Sequence, residues 1–432
     1  MHHTIDQDVL GPRGEAMADA VGRCVHCGFC LAACPTYRVG GEEAHSPRGR
    51  IVLMKEALEG QITAEEARPY VDACLGCLAC EPACPSGVPY GELLHPFRDQ
   101  TRADDGRGWL ERALRSIVHR TLPHPRRAYV ALLGARLARR LPAFLAPRIL
   151  RPMLAMADGA TPAWPSKSHG VTPAVGKRRA RVALLAGCVQ RVIAPEIHAA
   201  TVRVLARHGV EVVVPPAQGC CGALAMHDGD WATARALARR NLDAFPDDVD
   251  AVVTHTAGCG SGLREYGQLF AGTADSDAAQ RLAARTMDVS QFLDRLDAPE
   301  APDPPGPPAT QGIDDKPLRI AYQDACHLAQ AQGVRDAPRR LLERLPGVTV
   351  VPIGEADLCC GSAGTYNLFQ PAMAAELASR KVDHLVASGA DLVASGNIGC
   401  IVQLRREIAR RGLDLEVVHT VEVLDRRLPG TS

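Results

Sequence analysis

One cysteine pattern occurs twice between Cys24 and Cys84 of this 432-residue chain, and it constrains the fold more than any other feature. The two copies are Cys24-x2-Cys27-x2-Cys30-x3-Cys34-Pro35 and Cys74-x2-Cys77-x2-Cys80-x3-Cys84-Pro85. The x2 spacing lets three thiolates surround one face of a compact cluster, and the fourth ligand must come from elsewhere. The pattern therefore predicts two [4Fe–4S] clusters. A pair of zinc sites is the alternative, because Cys-x2-Cys is also a zinc spacing.

The fourth cysteine of each run is expected to bind the opposite cluster, as it does in two-cluster ferredoxins. This rule assigns Cys24, Cys27, Cys30 and Cys84 to one cluster, and Cys74, Cys77, Cys80 and Cys34 to the other. Between the runs, apolar residues at helical spacing predict a helix over residues 46–60. We therefore expect residues 1–100 to form a helical two-[4Fe–4S] ferredoxin domain. Arg48 and Arg50 are expected to neutralise the negative field of a cluster or to pair with a carboxylate.

The composition excludes several classes of protein. Basic and acidic residues balance at 49 each and aromatic residues make up 4%, so a nucleic-acid partner is not expected. Sixteen cysteines without a signal peptide favour a reducing compartment and metal ligation over disulfides. An apolar run long enough to span a membrane is absent from the sequence. We expect a cytoplasmic protein, either soluble or in peripheral contact with the inner face of the cytoplasmic membrane.

Residues 101–180 are predicted to form a helical basic connector. Arginines alternate with leucines here, as in Arg126, Arg127 and Arg136 among Leu132 and Leu137. The apolar stripe of such a segment either packs on its own protein or lies on an anionic membrane or a partner.

An internal repeat organises the rest of the chain. Its copies occupy residues 181–297 and 317–432, with a Pro-rich linker at 298–316 between them. Both copies contain a single cysteine, a Cys-Cys-Gly and a final cysteine, and the tails VSQFLDRL and VEVLDRRL are also similar. The four-cysteine sets are Cys188, Cys220, Cys221 and Cys259 in the first copy, and Cys326, Cys359, Cys360 and Cys400 in the second.

Strand-length apolar runs alternate with helical patterns inside each copy, which predicts α/β domains with parallel sheets. In the first copy the strands are predicted at 182–186, 210–214 and 251–254, and helices at 198–208 and 231–244. Each cysteine motif follows a strand, at the sheet edge where open α/β sheets bind ligands. We expect the two domains to be related by pseudo-two-fold symmetry. Buried structural thiols are the alternative to metal ligands.

The repeats resemble the cysteine-rich "CCG" domains of heterodisulfide reductase, succinate:quinone reductase relatives and several 2-hydroxy-acid dehydrogenases. That family pattern ends in Cys-x2-Cys, whereas this chain has Thr256-x2-Cys259 and Asn397-x2-Cys400. Each site thus lacks one expected thiolate, which argues against the noncubane cluster of heterodisulfide reductase. Four ligands per repeat suffice for an ordinary cubane, so the resemblance implies one or two further iron–sulfur clusters.

Over about residues 20–425 the chain is similar to the iron–sulfur subunits of bacterial glycolate oxidase. The matching segments include CVHCGFCLAACPTY, SPRGRI, CLGCLACEPACPSGVPY, GCCGA, LCCGSAGTY and NIGC. The resemblance implies an electron-transfer subunit with no catalytic residues of its own. Its partners would be flavoprotein subunits that oxidise glycolate to glyoxylate and hold the FAD. The acceptor would be a membrane quinone or another respiratory acceptor, reached by peripheral contact.

A dinucleotide-binding site in this chain is not expected. The glycine set Gly258, Gly260 and Gly262 lacks the spacing of the dinucleotide fingerprint. His227, His255 and His327 are expected to form hydrogen bonds around the sulfurs. Two alternative functions are an iron–sulfur subunit for D-lactate or glycerol 3-phosphate, and a catalytic subunit like that of heterodisulfide reductase.

Overall fold

The computed structural model describes residues 1–8, 10–103, 106–138, 162–165, 169–297 and 317–427. The described part contains three connected bodies: a helical amino-terminal domain, two connecting helices and a pair of α/β domains. The Pro-rich linker at 298–316 and the arginines from Arg139 to Arg151 lie outside the described residues.

The amino-terminal domain is helical throughout, as the sequence predicts. Its helices are α1 (Gly14–Arg23), α2 (Phe29–Ala33), α3 (Pro35–Gly40), α4 (Pro47–Leu58), α5 (Ala64–Asp72) and α6 (Tyr90–Gln100), with 3₁₀ turns at Gly11–Arg13 and Glu43–His45. Helix α4 is the helix predicted at 46–60, and it begins at Pro47 because the Ser46 hydroxyl accepts a hydrogen bond from Gly49 N at 3.0 Å. Met17, Met54 and Leu93 pack at the centre of this domain.

Two helices, α7 (Trp109–Thr121) and α8 (Pro125–Ala138), occupy the described part of the predicted connector. The same stretch also holds a strand that sequence reasoning missed. Strand β1 (Gly170–Thr172) pairs antiparallel with a strand of the first α/β domain, so that sheet begins before residue 181. A three-residue strand carries too little periodicity to be recognised from sequence.

The first α/β domain has a five-stranded sheet in the order β1-β3-β2-β4-β5. Its strands are β2 (Ala180–Leu184), β3 (Val210–Val214), β4 (Ala251–Thr254) and β5 (Thr286–Asp288), all parallel to one another. Its helices are α9 (Gln190–Ile193), α10 (Pro195–Arg207), α11 (Ala223–His227), α12 (Trp231–Ala244), α13 (Ala257–Arg264), α14 (Tyr266–Leu269), α15 (Ser276–Arg285) and α16 (Val289–Leu296). The parallel strand order confirms the predicted α/β class.

Over its described residues, the second α/β domain repeats this plan without the antiparallel strand. Its parallel sheet has the order β7-β6-β8-β9, from β6 (Leu318–Gln323), β7 (Val348–Val351), β8 (Leu392–Ser395) and β9 (Glu416–His419). Its helices are α17 (Cys326–Ala329), α18 (Ala337–Glu343), α19 (Tyr366–Phe369), α20 (Pro371–Ala387), α21 (Ile398–Arg410) and α22 (Thr420–Arg427).

The two α/β domains exchange their last helices across a shared apolar core. Helix α22 of the second domain packs on α10 of the first, and α16 of the first packs on α18 of the second. Asp425 accordingly pairs with Arg203 and Arg207, while Asp294 pairs with Arg340 and Arg344. Asp294 and Asp425 therefore occupy equivalent positions in the two helices. Because α16 begins at Val289 and α22 at Thr420, the structural alignment of the two tails differs by one residue from the alignment of VSQFLDRL with VEVLDRRL.

Candidate metal centres

The first two thiol sets line two neighbouring small cavities in the helical domain. One cavity is lined by Cys24, Cys27, Cys30 and Cys84, and the other by Cys34, Cys74, Cys77 and Cys80; Cys80 borders both. These are the two sets of the crossed arrangement, although ligation itself stays a prediction. We call them the first site and the second site.

Both cysteine runs have the same unusual backbone. The residues two and four positions after the first cysteine have positive φ in each run: His26 and Gly28, then Gly76 and Leu78. Each run places one glycine and one side-chain-bearing residue at these positions, so each contains one strained residue. Such strain is typical of loops whose conformation is set by a bound group. The loop conformation and the cysteines that line each cavity fit an iron–sulfur cluster.

The second site is buried and lies beside a buried arginine. Arg50 is 1% exposed, and its guanidinium donates to Thr36 Oγ1 at 3.0 Å, Tyr70 O at 2.7 Å and Cys34 Sγ at 3.8 Å. Burial opposes its charge, yet Cys74, Tyr90 and Cys34 raise its pKa above the ordinary value. Burial also acts to raise the pKa of Cys74, but Arg50 and Arg98 lower it below its usual range. The predicted neutralising role thus has a geometric basis at Arg50.

The first site is nearer the surface and has a different arginine. Arg48 donates to the Glu43 carboxylate at 2.7 Å and to His26 O at 2.8 Å, so it pairs with a carboxylate and holds the cysteine loop. Burial raises the pKa of Cys30 to about 11. Cys27 is exposed.

Each α/β domain brings its four cysteines into contact at the carboxyl ends of its strands. The thiols interact in the succession Cys188, Cys220, Cys221, Cys259 in the first domain and Cys326, Cys359, Cys360, Cys400 in the second. Both sets line one shared cavity of about 310 Å³ between the domains. We call the two sets the third site and the fourth site.

The Cys-Cys-Gly turn requires its glycine in both domains. Gly222 and Gly361 have φ of 81° and 83°. A Cβ would lie 3.0 Å from Ala234 O at the first and 2.6 Å from Ala374 O at the second. Hydrogen bonds from the neighbouring thiols hold the pKa of Cys221, and likewise of Cys360, well below its usual range despite burial. One cysteine of each set is thus favoured as a thiolate, the form that binds metal.

Thr256 and Asn397 stand where the family pattern has a further cysteine, and they form different hydrogen bonds. Thr256 Oγ1 donates to Gln190 Oε1 at 2.5 Å. Asn397 Nδ2 donates to Cys400 Sγ at 3.4 Å, and its Oδ1 accepts from Gly258 N across the domain boundary at 3.3 Å.

The histidines form hydrogen bonds mostly away from sulfur. Among the described contacts, His327 Nε2 donates to Gly76 O at 3.0 Å, and His227 and His95 both bond to the Glu265 carboxylate, at 3.1 Å and 3.2 Å. His255 bonds to Gln190 and His198. Their described hydrogen bonds go to oxygen and nitrogen, so the expected hydrogen-bonding role around the sulfurs stays a prediction for these three. Glu265 links the helical domain to the α/β domains.

The second site lies against the fourth. Leu75, Cys77 and Ala79 pack with Leu358, Cys359 and Tyr366 of the second α/β domain. Cys77 also interacts electrostatically with Cys326. Tyr366 Oη donates to Ala73 O at 3.2 Å. The thiol groups thus form a succession from the first site to the cavity that the third and fourth sites share.

The glycines of helix α13 serve packing. A Cβ at Gly262 would lie 2.5 Å from Ala223 Cβ, and one at Gly260 would lie 2.7 Å from Gln332 Oε1. They therefore permit close helix approach.

None of the helices in the described residues has the length and apolarity that crossing a bilayer requires.

These sites and folds define an iron–sulfur protein with a dicluster domain and two cysteine-rich domains. The model of the 4Fe-4S dicluster domain matches residues 20–88, and that of the cysteine-rich domain matches residues 182–264 and 320–405. The dicluster match decides between iron–sulfur and zinc: the helical domain holds two [4Fe–4S] clusters.

The relatives specify the family. The chain is 36% identical to the probable glycolate oxidase iron-sulfur subunit of Bacillus subtilis, over 93% of this chain and 92% of that protein. It is 34% identical to the glycolate oxidase iron-sulfur subunit of Escherichia coli, over 95% of both chains. Lactate utilization protein A of Geobacillus kaustophilus is 34% identical over 57% of this chain and 99% of its own length. The chain belongs to the family of glycolate oxidase iron–sulfur subunits.

Proposed function

We propose that this chain is the electron-transfer subunit of a complex that oxidises glycolate to glyoxylate. The observation that carries the proposal is the succession of thiol sites from exposed Cys27 to the cavity between the α/β domains. Oxidation of a 2-hydroxy acid by a flavin removes two electrons together, whereas iron–sulfur clusters carry electrons singly. Such a succession suits transfer away from a flavin.

The chain's own residues hold and tune the clusters in this proposal. The crossed thiol sets would bind the two clusters of the helical domain, and the third and fourth sites would hold one or two more. Arg50 offsets negative charge at the second site, and Glu265 with its two histidines fixes the helical domain against the α/β domains. The FAD and the substrate site belong to flavoprotein partner subunits.

A lactate-linked function is the second candidate, because lactate utilization protein A is also similar to this chain. That similarity covers 57% of the chain, whereas the similarity to the glycolate oxidase subunits covers 93–95%. The extent of the match therefore favours glycolate.

The connecting helices support a peripheral contact with the membrane that carries the acceptor. Trp109 and Ile117 on α7 and Val130 on α8 are large exposed apolar residues. Arg120 and Arg126 are exposed beside them. Apolar side chains interspersed with arginines suit the surface of an anionic membrane.

The purified complex should be assayed for dye or quinone reduction with glycolate, D-lactate and glycerol 3-phosphate. We expect glycolate to be the preferred donor, the isolated chain to be inactive, and the flavoprotein subunits without this chain to reduce no quinone. Adding the chain back should restore the reaction. Preference for another donor, or full activity without the chain, would contradict the proposal.

A further inference from the structure

Two large apolar side chains are exposed on either side of the exposed cysteine of the first site. Val25 is 65% exposed and Phe29 is 66% exposed, and Cys27 lies between them in sequence. We call residues 25–29 the Val25–Phe29 edge. Single exposed apolar residues are common on protein surfaces, so exposure alone assigns no role to this edge.

The second cysteine run shows what the same positions do when they are covered. Leu75 and Ala79 follow Cys74 at the spacing at which Val25 and Phe29 follow Cys24. They are buried against Leu358, Cys359 and Tyr366 of the second α/β domain. This face of the second run thus packs against the domain that carries the four cysteines of the fourth site.

No described residue covers the first run in this way, yet its backbone has the same conformation. His26 and Gly28 have φ of 58° and 81°, matching Gly76 and Leu78 in the second run. Arg48 holds the loop through His26 O. The described contacts therefore hold the loop without the apolar side chains of the edge. These contacts give the exposed side chains no role in folding.

Two ion pairs lie near the edge. Arg48 pairs with Glu43 and Arg23 with Asp19, each at 2.7 Å. Neither pair adds a net positive charge that would attract a polyanion or an anionic membrane. They suit an apolar contact with a polar rim, which is the usual anatomy of a protein–protein interface.

We propose that the Val25–Phe29 edge is the docking surface for the electron-donating flavoprotein subunit. This inference rests on the proposed function, and it makes the first site the point of electron entry. The partner would cover the first run as the second α/β domain covers the second run. The occupant is thus an apolar surface of a redox protein, placed beside an exposed cluster ligand.

The test measures the affinity of the iron-loaded chain for the purified flavoprotein subunits, in anaerobic binding titrations. Val25→Glu/Phe29→Glu should weaken binding by about ten-fold or more, since truncating or charging a central apolar contact has effects of that size. The matched control is Val171→Glu/Val386→Glu, because these valines are 57% and 47% exposed elsewhere. The control should bind as the wild type does. Iron content and the visible spectrum of each variant show whether the clusters are retained.

Phe29→Ser provides a second variant should the double substitution reduce iron loading, and it should also weaken binding. Unchanged affinity of an iron-loaded edge variant would overturn the inference. An edge variant that loses self-association in sedimentation velocity, with flavoprotein affinity intact, would overturn it in favour of a second copy of this chain. A wild-type chain that binds no flavoprotein subunit would instead refute the proposed function. If the complex forms through the edge but oxidises lactate in preference to glycolate, only the assignment of glycolate as the donor would be refuted.

Discussion

The third and fourth sites have the same thiol frame but different charge around it. Gly222 and Gly361 pack on Ala234 and Ala374 in the same way, and two helical turns beyond these alanines lie Asn241 and Lys381. Asn241 donates to Cys220 O and Tyr266 Oη at 3.0 Å. The fully buried ammonium of Lys381 instead donates to the carbonyls of Glu355 and Ala356, just before Cys359.

The comparison separates what the fold fixes from what single residues adjust. The parallel sheet and the glycine turn place four cysteines alike in both domains. Lys381 gives the fourth site a buried cation where the third site has the neutral Asn241. The fourth site is also the site that packs against the second site of the helical domain. A positive charge stabilises a more reduced, more negative cluster. Of the third and fourth sites, the fourth is therefore better suited to receive electrons from the second site.

The largest expected effect comes from removing a thiol of each set. Cys221→Ser and Cys360→Ser should each lower iron content by about four atoms if both sites hold a cubane, because a cubane has four irons. Anaerobic iron analysis of the two variants makes the comparison, with Cys77→Ser as the positive control. A loss in only one variant would show that the repeats differ in occupancy as well as in charge.

Substituting the turn glycines should destabilise both domains. Gly222→Ala and Gly361→Ala each force a Cβ into the left-handed region and toward a carbonyl oxygen, at a cost of about 1–3 kcal/mol. The closer approach, 2.6 Å against 3.0 Å, predicts the larger loss at Gly361. Denaturant unfolding checks this, with Gly412→Ala as a control for positive φ without a close contact. Equal losses in all three variants would show that φ alone matters.

The Lys381 charge should set the potential of the fourth site. Lys381→Met should make the reduction potential of that site more negative. The free energy of reduction should become less favourable by about 1–3 kcal/mol at an effective dielectric constant near 20. Asn241→Met removes polar contacts but no charge, so it should move the potential of the third site much less. Redox titrations followed by electron paramagnetic resonance measure both. Equal shifts would attribute the effect to lost hydrogen bonds.

The turn before helix α12 of the first domain has a pH-dependent contact that the corresponding described turn of the second domain lacks. His119 bonds to Asp228 and Asp230, and Arg115 bonds to Asp228 as well, whereas the corresponding turn of the second domain has Leu368 and Gln370. Burial opposes the charge of His119, but bonds to these carboxylates raise its pKa above the ordinary value. The contribution of charged His119 to the stability of the fold is therefore complete below about pH 6.5. It is lost as the pH rises through the higher pKa of His119 in the folded protein.

The destabilisation caused by His119→Asn should thus be greatest near pH 5 and should shrink toward pH 9. Asp228, whose pKa is lowered to about 2 by the same partners against burial, keeps its charge over this range. Thermal unfolding at several pH values checks the trend. His124→Asn is the control, because burial lowers the pKa of His124 and its removal should help slightly at low pH. A pH-independent effect of His119→Asn would exclude the charged contact.

The sequence predicted the parts of the fold that depend on local pattern. Strands β3 and β4 and helix α12 have the predicted bounds, and each four-cysteine set converges as expected. What depends on tertiary packing was not predictable. The burial of Leu75 and the exposure of Val25 arise at equivalent positions, and only the neighbouring domain distinguishes them. Burial of Lys381 likewise contradicts the usual preference of lysine for the surface.

The smallest expected effect tests the pseudo-two-fold relation itself. Asp294 and Asp425 each bind two arginines across the domain boundary, and their side chains are 12% and 16% exposed. The leading arginine partners, Arg340 and Arg203, are 49% and 51% exposed, so the pairs are screened alike. Asp294→Asn and Asp425→Asn should each cost about 0–1 kcal/mol, less at high salt. Denaturant unfolding should give equal losses within a few tenths of a kcal/mol. A clearly larger loss in one variant would show that the two exchanged helices are not energetically equivalent.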